Sequence, residues 1–126
     1  MNIGIVEDSP LIQERLKRML EQLPEARIVG IAGDMKSAEQ LLLQQDPGLT
    51  AADKIQAVIL DTQLPDGNCL EIVKKMKHAF PQIKVVVFSN HASDEYRFLA
   101  KRAGADEFLD KSTDGELLIP LLQLWK

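Results

Sequence analysis

Cysteine is nearly missing from this chain: Cys69 is the only one in 126 residues. A lone thiol excludes an internal disulfide framework and suits a reducing, cytoplasmic setting. Basic charge is in deficit. Lysine and arginine total 15 against 19 aspartates and glutamates, for a net charge of -4 and a pI near 5.1. A nucleic-acid-binding surface should be basic, so this balance argues against one. No apolar run approaches the length of a membrane span. The start, MNIGIVEDSP, lacks the basic region and long apolar stretch of a secretion signal. Repeats, low-complexity tracts and interdomain linkers are missing too. What is there is 45% hydrophobic and 27% charged, an ordinary globular make-up. The length fits a single domain over residues 1–126, long enough to bury a core.

Short apolar runs alternate with amphipathic stretches. Ile3-Gly4-Ile5-Val6 reads as a strand that ends at Glu7-Asp8. Ser9 then makes a good helix N-cap and Pro10 fits the first helical position. Ile12, Leu16, Met19, Leu20 and Leu23 recur at helical spacing, and Pro24 stops that helix. A second strand is predicted over 27–32. A second helix carries Ala38, Leu41, Leu42 and Gln45, capped near Asp34, and a loop is predicted over 46–54. Residues 57–61, AVILD, form the third strand, followed by a loop with Pro65-Asp66-Gly67 and a helix carrying Leu70, Val73, Met76 and Lys77. The fourth strand covers 84–89. A helix capped by Ser93 comes next, with Tyr96, Leu99 and Ala103, stopped by Gly104. Glu107-Phe108-Leu109 is a short fifth strand, and the last helix is predicted over 114–125.

Strand then helix, five times over, argues for an α/β fold with a doubly wound, five-stranded parallel sheet covered on both faces. In such a sheet, ligands gather at the carboxyl ends of the strands. The residues at those ends are Glu7 and Asp8, Asp61, Ser89, and Asp110-Lys111. Three crowded carboxylates repel one another unless a cation relieves them. An oxygen-only donor set, with no His or Cys at the strand ends, suits magnesium, calcium or manganese; few protein ligands with phosphate oxygens completing the shell is magnesium's habit. Lys111 offers a point charge for a phosphoryl oxygen, and Ser89 a hydroxyl donor. These parts suit a phosphoryl group carried on Asp61, since a carboxylate is a competent nucleophile for an aspartyl phosphate.

With those residues in order, the sequence resembles a bacterial response-regulator receiver domain of two-component signalling, over essentially its whole length. The resemblance rests on Glu7-Asp8, Asp61, Leu64-Pro65-Asp66-Gly67, Ser89, and the run AGADEFLDKS over 103–112. It implies a flavodoxin-like (βα)5 fold with strand order 2-1-3-4-5. It implies that Asp61 is the phosphoacceptor, with a sensor kinase's phosphohistidine or a phosphotransfer protein as donor. Asp8, Asp61 and the backbone carbonyl of Gln63 would hold Mg2+, with Glu7 acting mainly through water. Lys111 would pair with the phosphoryl group and Ser89 would swing toward it. Phe108 would follow from an exposed to a buried rotamer, remodelling the surface of the fourth helix, fifth strand and fifth helix toward a protein partner or a second copy. The domain would be no enzyme beyond self-phosphorylation and self-dephosphorylation.

Several positions depart from the family pattern. Asn90 comes after the switch hydroxyl where a small residue is usual, and bears on access to the phosphoryl site. Ser112 stands after the lysine where proline is frequent. Cys69 stands where glycine is common and reads as a small helix-start residue rather than a redox sensor. Gln63, two beyond Asp61, and His91, two beyond Ser89, are candidates for setting the autodephosphorylation rate. In the last helix Leu117, Leu118, Leu121, Leu122, Leu124 and Trp125 form an apolar arc broader than one buried face needs, with Ile119 outside it. Pro120 should kink that helix or mark a late start.

Rival functions fare worse. A haloacid-dehalogenase-type phosphatase needs a second aspartate two residues after the nucleophile, where Gln63 stands. The P-loop Gly-x-x-x-x-Gly-Lys is absent. An FMN binder would meet an acidic site that repels its phosphate. A receiver-like interaction module that is never phosphorylated is the serious alternative, and the intact aspartate and lysine set argues against it. Nothing resembles a helix-turn-helix reader of DNA. A stand-alone receiver and the receiver of a larger transcription regulator are both compatible with the sequence.

Overall fold

The short aliphatic runs form five strands: β1 (Asn2–Val6), β2 (Arg27–Ala32), β3 (Ala57–Leu60), β4 (Lys84–Ser89) and β5 (Glu107–Asp110). The computed structural model describes residues 1–45, 48, 53–90 and 92–125. The loop predicted over 46–54 falls largely outside them, as does His91. All neighbouring strands pair in parallel, in the order β2-β1-β3-β4-β5. The central strands β1 and β3 are buried at every position, and β4 at all but Lys84. Exposed residues such as Arg27 and Glu107 sit on the edge strands. This is the burial of a sheet covered on both faces.

The helices are α1 (Pro10–Leu20), α2 (Met35–Leu43), α3 (Leu70–Ala79), α4 (Asp94–Ala103) and α5 (Leu118–Leu124). Successive strand side chains point to opposite faces, and the core divides accordingly. Ile3, Ile5, Ile59, Val86 and Phe88 pack against Leu16 and Leu20 of α1 and Leu118 and Leu122 of α5. Val6, Val58, Leu60, Val85 and Val87 pack against Leu42 of α2, Ile72 and Met76 of α3 and Ala100 of α4. Among the described residues no helix is long and apolar enough to cross a membrane.

Local chemistry sets the helix ends. The Ser9 hydroxyl accepts from Ile12 N–H, and Pro10 opens α1. Asp34 and Ser37 form a reciprocal capping box at the start of α2. The Ser93 hydroxyl caps α4 through Tyr96 N–H at 3.1 Å. Gly104 ends α4 with φ 113°, a left-handed conformation that costs a side chain-bearing residue about 1–2 kcal/mol. A Cβ there would also lie 3.0 Å from Lys77 Cγ. Lys77 has little freedom to move, because it pairs with Asp106 at 2.8 Å and donates to the Ile83 carbonyl at 2.6 Å. Gly104→Ala is therefore expected to lower unfolding free energy by about 2 kcal/mol, measured by urea titration.

Four local expectations need correction. Gln45 lies beyond α2, which ends at Leu43; its side-chain amide instead donates to the Leu42 carbonyl at 2.9 Å, satisfying an end group that the helix leaves open. The loop after β3 contains an antiparallel ribbon, Gln63–Leu64 against Gly67–Asn68. The last helix starts late: a 3-10 turn covers Gly115–Leu117, and Pro120 falls in the first turn of α5, where its missing N–H costs nothing. The apolar arc is correspondingly split. Ile119, expected outside it, packs against the core with Leu121 and Trp125, while Leu117 and Leu124 are exposed.

Candidate functional site

The carboxyl ends of β1, β3, β4 and β5 share one edge of the sheet, and backbone pairing carries on past the strands to fix the residues just beyond them. Asp61, directly after β3, donates its N–H to the Val6 carbonyl at 2.8 Å. Glu7 does the same to Ala32 at 2.8 Å, and Lys111 to Ser89 at 3.1 Å. These side chains therefore sit on the rigid sheet rather than on free loops.

Oxygens of Glu7, Asp8 and Asp61 all lie within 4.8 Å of one another. Glu7 and Asp61 are buried and Asp8 is exposed. Lys111 bridges the two buried acids, with Nζ at 2.5 Å from Glu7 Oε1 and 3.0 Å from Asp61 Oδ2. The side chains of Lys111, Glu7 and Asp61 are only 11%, 3% and 11% exposed, respectively. Charges this buried need partners, and the lysine is theirs. The other carboxylate oxygen of each acid also accepts a hydrogen bond. Asp61 Oδ1 accepts from Gln63 N–H at 3.2 Å, and Glu7 Oε2 from Ser9 N–H at 3.2 Å. Gln13 donates its amide to the Glu7 carbonyl at 2.6 Å.

Burial pushes the Glu7 carboxyl above its ordinary range, and the hydrogen bond from Lys111 offsets this only in part. For Lys111, burial works toward a lower value, but hydrogen bonds to Glu7 and Asp61 together outweigh it and raise the ammonium above its usual range. The lysine thus stays charged at every physiological pH. The donor set suits a hard divalent cation: oxygens only, from three convergent carboxylates, with one of the three open to water.

Ser89, at the end of β4, is fully buried, and its hydroxyl shares a 3.0 Å hydrogen bond with Thr62 Oγ1. Asn90 next to it is exposed, as is Gln63 in the ribbon. Phe108 is partly buried on β5, with the Arg97 guanidinium 4.9 Å above its ring. Ser112 donates its N–H at 2.8 Å and its hydroxyl at 2.6 Å to Asp110 Oδ1. The Ser112 hydroxyl, then its N–H, holds the Asp110 carboxyl below the usual range. The serine in place of proline thus closes the turn that carries Lys111.

Two residues escaped the sequence reading. Thr62 is one. Arg97 is the other: from α4 it donates to the carbonyls of Ala92 (3.3 Å) and Phe108 (3.4 Å) and pairs with Asp114 at 3.7 Å. It ties together the loop after β4, the aromatic of β5 and the turn before α5. Nothing in the sequence separates Arg97 from Arg102, five residues further along the same helix. Thr62 carried no signal of its own either: its place beside Ser89 follows from the β3–β4 register Leu60↔Val87, which only the folded sheet sets.

Cys69 is fully buried immediately before α3. Burial pushes its thiol up to about 12, with the charges of Asp61, Asp66, Glu7 and Asp8 adding to the shift. We expect no labelling of the folded protein by iodoacetamide at pH 8 and complete labelling in denaturant, read by intact mass.

A doubly wound, flavodoxin-like α/β domain with a lysine-bridged acidic cluster at the carboxyl edge is the class that fold and site define. Within that class, the chain belongs to the response regulator receiver domain family, which matches residues 3–123. It is 27% identical over 124 residues to the transcriptional regulatory protein DegU of Brevibacillus brevis, covering 98% of this chain and 49% of that protein. It is 28% identical over 120 residues to the nitrate/nitrite response regulator protein NarL of Escherichia coli strain K12, covering 95% and 52%. The solved structure of a LuxR-family two-component response regulator from Aurantimonas sp. SI85-9A1 matches with a TM-score of 0.82 at 24% identity, covering 98% of this chain and 82% of that one. That last likeness is one of fold. The chain spans about half the length of the curated relatives it matches. Receivers of this family are phosphoacceptor domains of two-component signalling.

Proposed function

We propose that this receiver accepts a phosphoryl group on Asp61 from the phosphohistidine of a cytoplasmic sensor kinase or phosphotransfer protein, and so switches its α4-β5-α5 surface. An Asp61 carboxylate oxygen attacks phosphorus, the P–N bond breaks, and the imidazole leaves with the electron pair. The observation that carries this reading is the convergence of Glu7, Asp8 and Asp61 with Lys111 at 3.0 Å from Asp61. Lys111 holds fixed positive charge beside the attacking oxygen, in a site already organised before the donor arrives. Asp8, Asp61 and the Gln63 carbonyl would hold Mg2+, with Glu7 acting through water. The ion would supply positive charge to the transferring group's oxygens. A groove of about 750 Å3 between α1 and the turn before α5, lined by Ile12, Arg15, Met19, Ile119, Pro120 and Lys111, offers the donor protein a docking surface beside the reacting group.

Ser89 and Phe108 carry the response. Ser89 turns its hydroxyl to the phosphoryl oxygens, and Phe108, with Arg97 over its ring, follows toward a more buried rotamer. Gln63, Asn90 and His91 tune access and phosphoryl lifetime. The single domain acts on a downstream protein or on a second copy, either alone or as the receiver part of a transcription regulator like those it resembles. The test is to incubate the protein with acetyl phosphate and magnesium and record intact mass. One added phosphoryl group is expected. Its absence, together with failure to bind beryllofluoride, would favour the phosphorylation-independent module.

A further inference from the structure

The residue next to the acceptor in sequence is also the partner of the switch hydroxyl in space. Thr62 comes directly after Asp61, and it is fully buried. Its hydroxyl lies 3.0 Å from Ser89 Oγ, also fully buried. The pairing is a consequence of the sheet. β3 and β4 run parallel with Ala57 beside Lys84 and Leu60 beside Val87, so the same register carried two residues on sets Thr62 beside Ser89. Thr62 is pinned in turn, because its carbonyl accepts from Cys69 N–H at 3.1 Å at the start of α3.

We propose that Thr62 is a positioning residue that holds the Ser89 hydroxyl in its retracted place and so sets the threshold for the switch. This rests on the phosphoacceptor reading above. A swing of Ser89 toward a phosphoryl group on Asp61 gives up the bond to Thr62 and leaves a buried threonine hydroxyl to find another partner. Leaving a buried hydroxyl unpaired is costly, so the bond biases the free domain toward the retracted state. A ligand that binds the engaged state must overcome that bias, and its apparent affinity is lowered by the same factor.

The test removes the hydroxyl and keeps the shape. Beryllofluoride binding, in magnesium, is measured for the wild type, Thr62→Val and Thr62→Ser, each checked for folding by thermal melting. Thr62→Val is expected to bind about three- to tenfold more tightly, the weight of one net hydrogen bond. Thr62→Ser, which keeps the hydroxyl, should bind as the wild type does. In a Ser89→Ala background Thr62→Val should change nothing, an outcome that a purely packing role would not produce. Should the valine variant not fold, Thr62→Ala carries the same expectations. Unchanged or weaker binding by the hydroxyl-free variant, or an effect that persists without the Ser89 hydroxyl, overturns the role given to Thr62 and leaves the acceptor reading intact. No binding by the wild type overturns the acceptor reading itself, and this inference with it.

Discussion

Asp61→Asn is expected to take up no measurable phosphoryl group from acetyl phosphate in magnesium, a loss on the order of 10^3-fold or more in rate. The substitution keeps size and shape and exchanges a carboxylate for an amide, which is a poor nucleophile. Neighbouring contacts survive well enough for the fold to persist: Lys111 keeps Glu7 at 2.5 Å, and the backbone bond from Asp61 to Val6 does not involve the side chain. Lost uptake with an unchanged melting profile is therefore a statement about chemistry. Intact mass over a time course reads both the wild-type rate and the residual. Uptake by the variant at the wild-type rate would move the acceptor elsewhere, and Asp8, the exposed member of the cluster, would be the next residue to replace.

Lys111→Met should show two separable effects. Phosphorylation is expected to slow by about 10^2–10^3-fold, because one preorganised positive charge at the transferring group is gone. Stability without metal should also fall, by about 3 kcal/mol, since removing one partner of a buried ion pair strands the other. Here two carboxylates are stranded, Glu7 and Asp61, both nearly sealed from water. Glu7 limits the damage, because burial already pushes its carboxyl upward and a proton can replace the lysine there. Magnesium should narrow the deficit, since a divalent cation among the carboxylates supplies the missing charge. Urea titrations of both proteins, in magnesium and in chelator, test this directly. Equal stability of variant and wild type in chelator would mean that the carboxylates are hydrated well enough to need no ammonium.

The legible parts of the molecule were those with a one-dimensional signature. Alternation of aliphatic runs with amphipathic stretches announced the parallel sheet, because a strand buried on both faces has no polar positions to interrupt it. Ser9, Pro10, Asp34, Ser93 and Gly104 marked helix ends through capping chemistry that acts within a few residues. Glu7, Asp8, Asp61 and Lys111 could be gathered from the sequence because strand ends in this architecture share one edge. The late start of α5 was half legible, since Pro120 permits either a kink or a first-turn position, and only packing of Leu118 and Leu122 on the sheet selects the second.

The order of the elements and the gathering of Glu7, Asp8, Asp61 and Lys111 at one sheet edge were thus determined by the sequence itself, through periodicity, caps and the placement of acids after apolar runs. Tertiary structure decided the pairings. Lys111 neutralises Glu7 as well as Asp61 because β1 lies beside β3 in the sheet, a neighbour relation set by folding. Arg97 reaches Phe108 because α4 packs across β5. Thr62 meets Ser89 because parallel register sets residues 27 apart side by side. A hydrogen bond or ion pair depends on angstrom distances between chain-distant groups. Those distances exist only once both faces of the sheet are covered and the strands are held in register.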